Sequence, residues 1–347
     1  MTNIIYILPY EKKPTGGINV VLQHSELINK INNKFKSQII FIKKKKTSKW
    51  KQSFNKFINS KSLLKERGWK FNEVSILKKK KHNWCDAQID IKDNFKLDKK
   101  NDFVILPEIF AHFAKEFLIK NKIKYAVFVQ NGHAIDYTSD YIALKNAYKN
   151  SSIILTVSSH IDNCVREAFP DFKKKIFKIN QYINVGRCDY KSKLNIITYM
   201  PRKLKDHSNL VLFFLKNKLP NNWKVVALDR LNKKEIFKHL KKSKIFLSFS
   251  NLEGFGLPPI EAALLGNRVI GYTGEGGKEY WKPPIFEKVE QGNILEFVKK
   301  IKLNLNNKID FKSSSAQRIH LTKKYSYEGQ HKNIISLLKK IKKALHK

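Results

Sequence analysis

Within NLEGFGLPPIEAALLGNRVIGY, residues 251–272, two carboxylates, Glu253 and Glu261, stand on either side of a Gly-Phe-Gly turn and a Pro-Pro step. The preceding KIFLSFS, 244–250, has the unbroken apolar character of a buried strand. The following IEAALLG reads as a helix, with Pro258 or Pro259 in its first turn and Gly266 as its stop. The loop between them must cross the carboxyl edge of a sheet and end on free helix N–H groups, an arrangement that favours an anion. Gly254 and Gly256 remove side chains where backbone would have to approach a phosphate. A carboxylate repels an anion, so Glu253 and Glu261 are set to accept hydrogen bonds from hydroxyls, and vicinal diols suit their paired oxygens. Taken singly, Glu261 is a favourable first-turn charge and Glu253 an ordinary loop carboxylate. Their joint spacing, with seven residues between them, predicts a ligand built of sugar, phosphate and nucleoside.

These residues need elements to hold them. Short β-branched runs alternate with helical patterns in both halves of the 347-residue chain, as βαβ units do. Strands are expected at 3–8, 38–42, 102–106, 124–129 and 152–157, then at 194–199, 224–228, 244–250 and 268–272, with a helix at 232–242 among those between. The reading is α/β with two doubly wound sheets. A first domain over 1–187 and a second over 188–325 meet in the polar stretch QYINVGRCDYKSK. Residues 326–347 form an amphipathic helix whose apolar stripe, Ile334, Ile335, Leu337, Leu338, Ile341 and Leu345, must dock on something. Residues 43–101 carry lysine runs and little strand pattern, and Trp50, Phe54, Phe57, Ile58 and Leu64 recur there at the spacing of a basic amphipathic helix.

Charge bounds the partners. The chain has 69 Lys and Arg against 29 Asp and Glu, a net +40, yet only seven of the 69 are arginine. A phosphate-gripping surface recruits the bidentate arginine fork, whereas here Lys, Asn and Ile rise together along the whole chain. The excess reads chiefly as solvated surface, then as a footprint for an anionic membrane or acidic polymer, and last as a nucleic-acid site. Cys85, Cys164 and Cys188 have neither disulfide-framework nor zinc spacing. With no apolar run long enough to span a bilayer, the expected place is the cytoplasm, with peripheral contact on the inner membrane face.

The segment EGFGLPPIEAALLGNRVIGYTGEGG resembles the Glu-x7-Glu element of retaining GT-B glycosyltransferases, the group 1 or family four-like enzymes. A glycine pair after the first strand, TVSSHIDNCVREAFP before the domain joint and YMPRK after the first strand of the second half extend the likeness. The resemblance implies two Rossmann-like domains facing across a cleft and transfer of a sugar from a nucleotide-diphosphate donor. It implies that Glu261 holds the donor ribose, and that Glu253 with the backbone of Gly254, Phe255, Gly256 and Leu257 faces the transferred sugar and diphosphate. Arg202 with Lys203 or Lys205 would neutralise the leaving diphosphate, the family's later Lys-Gly spacing being absent here. Gly16 and Gly17 would admit the donor phosphate, His133 in VFVQNGHAID would approach the sugar, and the glycines of GYTGEGG would shape its pocket.

No Asp-x-Asp is present to hold a divalent ion on the diphosphate, so transfer is expected to need neither metal nor cofactor. The acceptor would be a glycan, a lipid-linked sugar or another hydroxyl, in the synthesis of surface polysaccharide or glycolipid. Competing readings are a nucleotide-sugar epimerase or phosphorylase on the same scaffold, and a nucleic-acid-binding or DNA-glycosylating protein that exploits the charge. Scattered lysines and the lack of an RNA-binding aromatic signature weigh against the last.

Overall fold

The computed structural model describes residues 1–11, 15–45, 69–77, 90–138, 140–190, 192–306 and 311–346. The amphipathic pattern around Trp50 to Leu64, the lysine run at 78–81 and Cys85 lie outside the described residues. The chain forms two compact units: Met1–Val157, Ile161–Ile179 and His331–Lys347 in unit 1, and Ser158–His160 and Asn180–Gln330 in unit 2. The main division falls between Ile179 and Asn180 rather than at 187/188.

Unit 1 is built from β1 (Thr2–Pro9), α1 (Gly16–Ile31), β2 (Phe35–Lys44), β3 (Val74–Ile76), β4 (Asp102–Pro107), β5 (Lys124–Val129), α2 (Tyr141–Asn150), β6 (Ile153–Thr156), α3 (Ser159–Ala168) and β7 (Ile176–Lys178). Its strands are ordered β3-β2-β1-β4-β5-β6-β7, parallel except for the β2–β3 pair. The central strands are continuous apolar runs because a parallel sheet is covered on both faces. Ile4, Ile5, Phe103, Val104, Val127 and Ile154 are accordingly buried.

Unit 2 contains β8 (Leu194–Tyr199), α4 (Lys205–Leu215), β9 (Lys224–Ala227), α5 (Lys233–Lys242), β10 (Ser243–Glu253), α6 (Leu257–Leu264), β11 (Arg268–Glu275), β12 (Phe286–Lys288), α7 (Ile294–Asn306) and α8 (Phe311–Lys324). Helix α9 (Tyr327–Leu345) begins there, and its residues from His331 belong to unit 1. The strands are ordered β12-β11-β10-β8-β9, all parallel. Ile197, Ile245, Leu247, Phe249, Ile270 and Tyr272 meet Val211 and Leu215 of α4 and Phe297, Val298 and Ile301 of α7 in one apolar core. Among the described residues no helix is long and apolar enough to cross a membrane.

The strand orders fix where ligands can sit. Successive strands leave β1 first toward β2 and then toward β4, and leave β8 first toward β9 and then toward β10. The loops at the carboxyl ends of β1 and β4, and of β8 and β10, therefore diverge, each pair opening a crevice at a topological switch point.

All nine expected strands are present. The three that the sequence pattern missed, β3, β7 and β12, are three residues long and lie at sheet edges, too short to show a period. One packing constraint in unit 2 is severe: Gly271 has φ +132°, and a Cβ there would stand 2.3 Å from the Ser248 carbonyl oxygen and 2.6 Å from the Phe297 ring. Gly271→Ala is expected to cost about 3 kcal/mol or more, read as a lowered denaturation midpoint at unchanged m-value.

Candidate functional site

The unit 2 site begins with strand length. Leu247 of β10 pairs with Tyr199, the last residue of β8, so β10 runs six residues further, to Glu253. The chain leaving β8 turns through Leu204 at φ 48° into α4 and places Lys203 beside that overhang. Lys203 Nζ lies 2.5 Å from Glu253 Oε1 and 3.4 Å from the Asn251 carbonyl. Arg202 and Lys205 are exposed, and among the described residues no hydrogen bond or ion pair holds either side chain.

Beyond Glu253 the chain is held by aromatics. Phe255 is buried between the rings of Tyr280, 5.3 Å away, and Tyr325, 5.2 Å away. Its side chain is thus core, and only its backbone remains for a ligand. Gly256, at φ +82°, caps α6, and its carbonyl accepts from Tyr280 Oη at 2.5 Å. Tyr325 Oη in turn donates to Glu279 at 2.9 Å. Burial drives the Tyr280 and Tyr325 hydroxyls far above the ordinary tyrosine range, so both remain donors at any working pH. The approach that Gly276 permits is to the chain's own Gly254: a Cβ on Gly276 would stand 2.2 Å from the Gly254 carbonyl oxygen.

Helix α6 begins at Leu257, with Pro258 and Pro259 in the first turn, where their missing N–H groups cost no intrahelical bond. Glu261, whose side chain is 13% exposed, faces Lys233 Nζ at 3.3 Å. Burial pushes its carboxyl above the usual carboxylate range, and the lysine charge and hydrogen bond pull it back. Lys233 is the first residue of α5, placed by a capping box in which Asn232 Oδ1 accepts from Glu235 N–H and Glu235 accepts from Asn232 N–H. The Asn-Lys-Lys-Glu pattern marks that helix start, but among so many lysines nothing singles out Lys233.

The far end of α6 is fastened by side chains. Ala262 O accepts from Asn267 Nδ2 at 3.0 Å, Ala263 O from Arg318 Nε at 2.9 Å, Leu264 O from Tyr190 Oη at 3.3 Å, and Leu265 O from Lys193 Nζ. Asn267 and Lys193 each also donate at 2.8 Å to Leu240 O, near the end of α5, tying the two helix ends together. Burial lowers the Lys193 ammonium to about 8, so it stays largely charged at neutral pH, where a cation suits a helix carboxyl terminus.

Unit 1 carries the remaining expected residues at the carboxyl edge of its own sheet. Gly16 and Gly17 open α1, capped by Thr15. Space at Gly17 is taken up from within the unit, since a Cβ there would lie 2.3 Å from Gln130 Oε1. His133 is exposed on the short turn Gly132–Ala134 after β5, and its N–H donates to Asn131 Oδ1 at 3.1 Å. Among the described residues, no group of three or more His, Cys, Asp or Glu converges as a metal site.

At the carboxyl edge of a doubly wound sheet, then, stand two carboxylates, each paired with a lysine. Residues 165–324 match the model for glycosyl transferases group 1. A mutant of S. aureus TarM, solved with fondaparinux, alpha-GlcNAc-glycerol and UDP, is similar at TM-score 0.64 and 13% identity over 100% of both chains. The lipopolysaccharide outer core galactosyltransferase WaaB gives 0.66 at 12% over 97% of this chain and 99% of its own. Anabaena HepE, solved with UDP and glucose, gives 0.64 at 10% over 98% and 100%. These likenesses establish the GT-B fold. A comparison with curated proteins gives no match.

The fastening of α6 makes a direct prediction. Asn267 is fully buried and bonds Leu240 O, Ala262 O and Ser243 Oγ. Asn267→Ala is expected to lower unfolding free energy by about 3 kcal/mol in equilibrium denaturation, because three side-chain hydrogen bonds are lost, Ser243 Oγ loses its acceptor and a buried cavity is left.

Proposed function

We propose that the protein moves a sugar from a nucleotide-diphosphate donor to a hydroxyl of a glycan or lipid-linked acceptor, with retention at the anomeric carbon and without a metal ion, in surface polysaccharide or glycolipid synthesis. The carrying observation is the charge arrangement at the β8/β10 switch point. Glu253 and Glu261 each have a lysine partner, while Arg202 and Lys205, on the turn that carries Lys203, are exposed and have no ion-pair partner among the described residues. Carboxylates balanced in this way can accept from sugar and ribose hydroxyls without repelling a diphosphate, and the unpaired cations can take the diphosphate itself. Lys203 has three donors, and Glu253 and Asn251 O engage two of them, leaving one for a phosphate oxygen.

In this reading Glu261 holds the ribose diol, and Glu253 with the Gly254–Leu257 backbone orients the transferred sugar. Gly16, Gly17 and His133 are assigned to donor binding by their place at the carboxyl edge of the unit 1 sheet. The bond from anomeric carbon to diphosphate oxygen breaks through an oxocarbenium-like transition state. The acceptor oxygen bonds on the same face, and its proton passes to the departing phosphate. Arg202 and Lys203 offset the charge that develops there. UDP is the first base to test, since TarM and HepE were solved with it.

Thermal shift and hydrolysis against UDP-, GDP-, ADP-, TDP- and CMP-sugars, with and without EDTA, test the proposal. One donor is expected to stabilise the protein and be slowly hydrolysed regardless of EDTA, with both effects lost in Glu261→Ala. No response to any donor, or full dependence on a metal, would overturn it. A pH series sharpens the role of Glu261. Its raised carboxyl binds a diol as the anion, so donor affinity should fall as pH drops through its titration. In Lys233→Met that fall should begin at higher pH, because the charge opposing desolvation is gone, whereas Lys233→Arg should keep the wild-type profile.

A further inference from the structure

At the carboxyl edge of the unit 1 sheet lies an acid that none of the roles above uses. Glu108 follows β4 directly and is 5% exposed. Its Oε1 accepts from Asn131 N–H at 3.0 Å and its Oε2 from Gln130 N–H at 3.2 Å. Those two amides open the loop that carries His133. The same loop is wedged on two further sides: Gln130 reaches Gly17 at the start of α1, and a Cβ on Gly132 would stand 2.7 Å from Cys164 Sγ of α3. Among the described residues no lysine or arginine compensates the acid. The titratable group facing it from the packed helix α2 is the buried Tyr148, whose hydroxyl has no hydrogen-bond partner. Burying an unpaired carboxylate is costly, and a backbone turn or an asparagine could close such a loop without that cost.

We propose that Glu108 is a positioning residue of the transferase: as a carboxylate it clamps Gln130 and Asn131, and so fixes His133 and the Gln130–Gly17 contact for the donor. The inference rests on the assignment of His133 and Gly17 to the donor. Ionised, Glu108 offers an acceptor oxygen to each amide. Protonated, it has a hydroxyl on one oxygen, and that amide loses a strong acceptor. Burial raises the Glu108 carboxyl to about 7, the three amide bonds from Gln130, Asn131 and Glu108 itself opposing the rise. The clamp is therefore about half formed near pH 7, close to complete about a unit higher, and lost as pH falls toward 6.

The test uses the full chain and Glu108→Gln, which keeps shape but offers a single acceptor oxygen. Two readouts are taken: hydrogen exchange of residues 129–134, and the pH profile of kcat/KM for the donor found in the screen. In the wild type, kcat/KM should fall about tenfold per pH unit on an acid limb near pH 7. Glu108→Gln should exchange the 130 and 131 amides at least tenfold faster at pH 8, with other unit 1 strands still protected, and should lose that limb. Glu108→Asp, still an acid, should retain it, which a merely structural loss of packing would not produce. Unchanged exchange at 130 and 131, or an acid limb near pH 7 persisting in Glu108→Gln, would overturn the proposal. If the wild type turns over no nucleotide sugar, the transferase reading fails, while the exchange measurement still decides whether Glu108 holds the loop.

Discussion

An eight-residue helix cannot hold itself, and the unit 2 site depends on one. Alone in water, α6 would be far below the length at which helix propagation repays nucleation. Its stability comes from outside: the carbonyls of Ala262, Ala263, Leu264 and Leu265 each receive a side-chain donor, from Asn267, Arg318, Tyr190 and Lys193. The cations among these also complement the negative end of the helix dipole. With that end fastened, the opposite end can leave N–H groups open toward a ligand, and Glu261 one turn in has a fixed direction. The Tyr280 hydroxyl on Gly256 O performs the same service at the entrance.

Charge is managed locally in a molecule whose overall charge is lopsided. With a net +40, any carboxylate has cations within reach, yet those at the site are specific. Lys203 comes from the turn after β8, the strand next to β10, and Lys233 from a helix start that a capping box fixes. Each pair is partly exposed, so its Coulomb energy adds little to stability. What each lysine supplies is a positive charge that offsets the carboxylate it meets. Glu108 in unit 1 is the opposite case, a buried acid held by amides, with no cation beside it among the described residues.

The sheets were readable because parallel strands covered on both faces are written as unbroken β-branched runs. The Glu253–Glu261 element was readable because glycine, proline and acid residues in fixed order leave few structural explanations. The cations were not: in a chain with 62 lysines, composition hides which lysine is aimed. Lys233 and Lys193 become distinct only through the atoms they meet. Phe255 sits in a motif of backbone contacts, and only the packing of Tyr280 and Tyr325 shows its ring to be core. Glu108, Tyr190 and Arg318 act over 22 to 74 positions of sequence, separations at which no local pattern can register.

The donors on α6 also set how small a self-sufficient piece of unit 2 can be. A fragment cut from Leu194 to Gln317 would retain all five strands of the sheet and the whole of β10, α6 and β11. It would still lack Tyr190, Lys193 and Arg318, leaving the carbonyls of Ala263, Leu264 and Leu265 without their donors. Strand content is therefore a poor guide to where this chain can be divided. A piece that keeps α6 in order must start before Tyr190 and run beyond Arg318, through residues that belong to no strand.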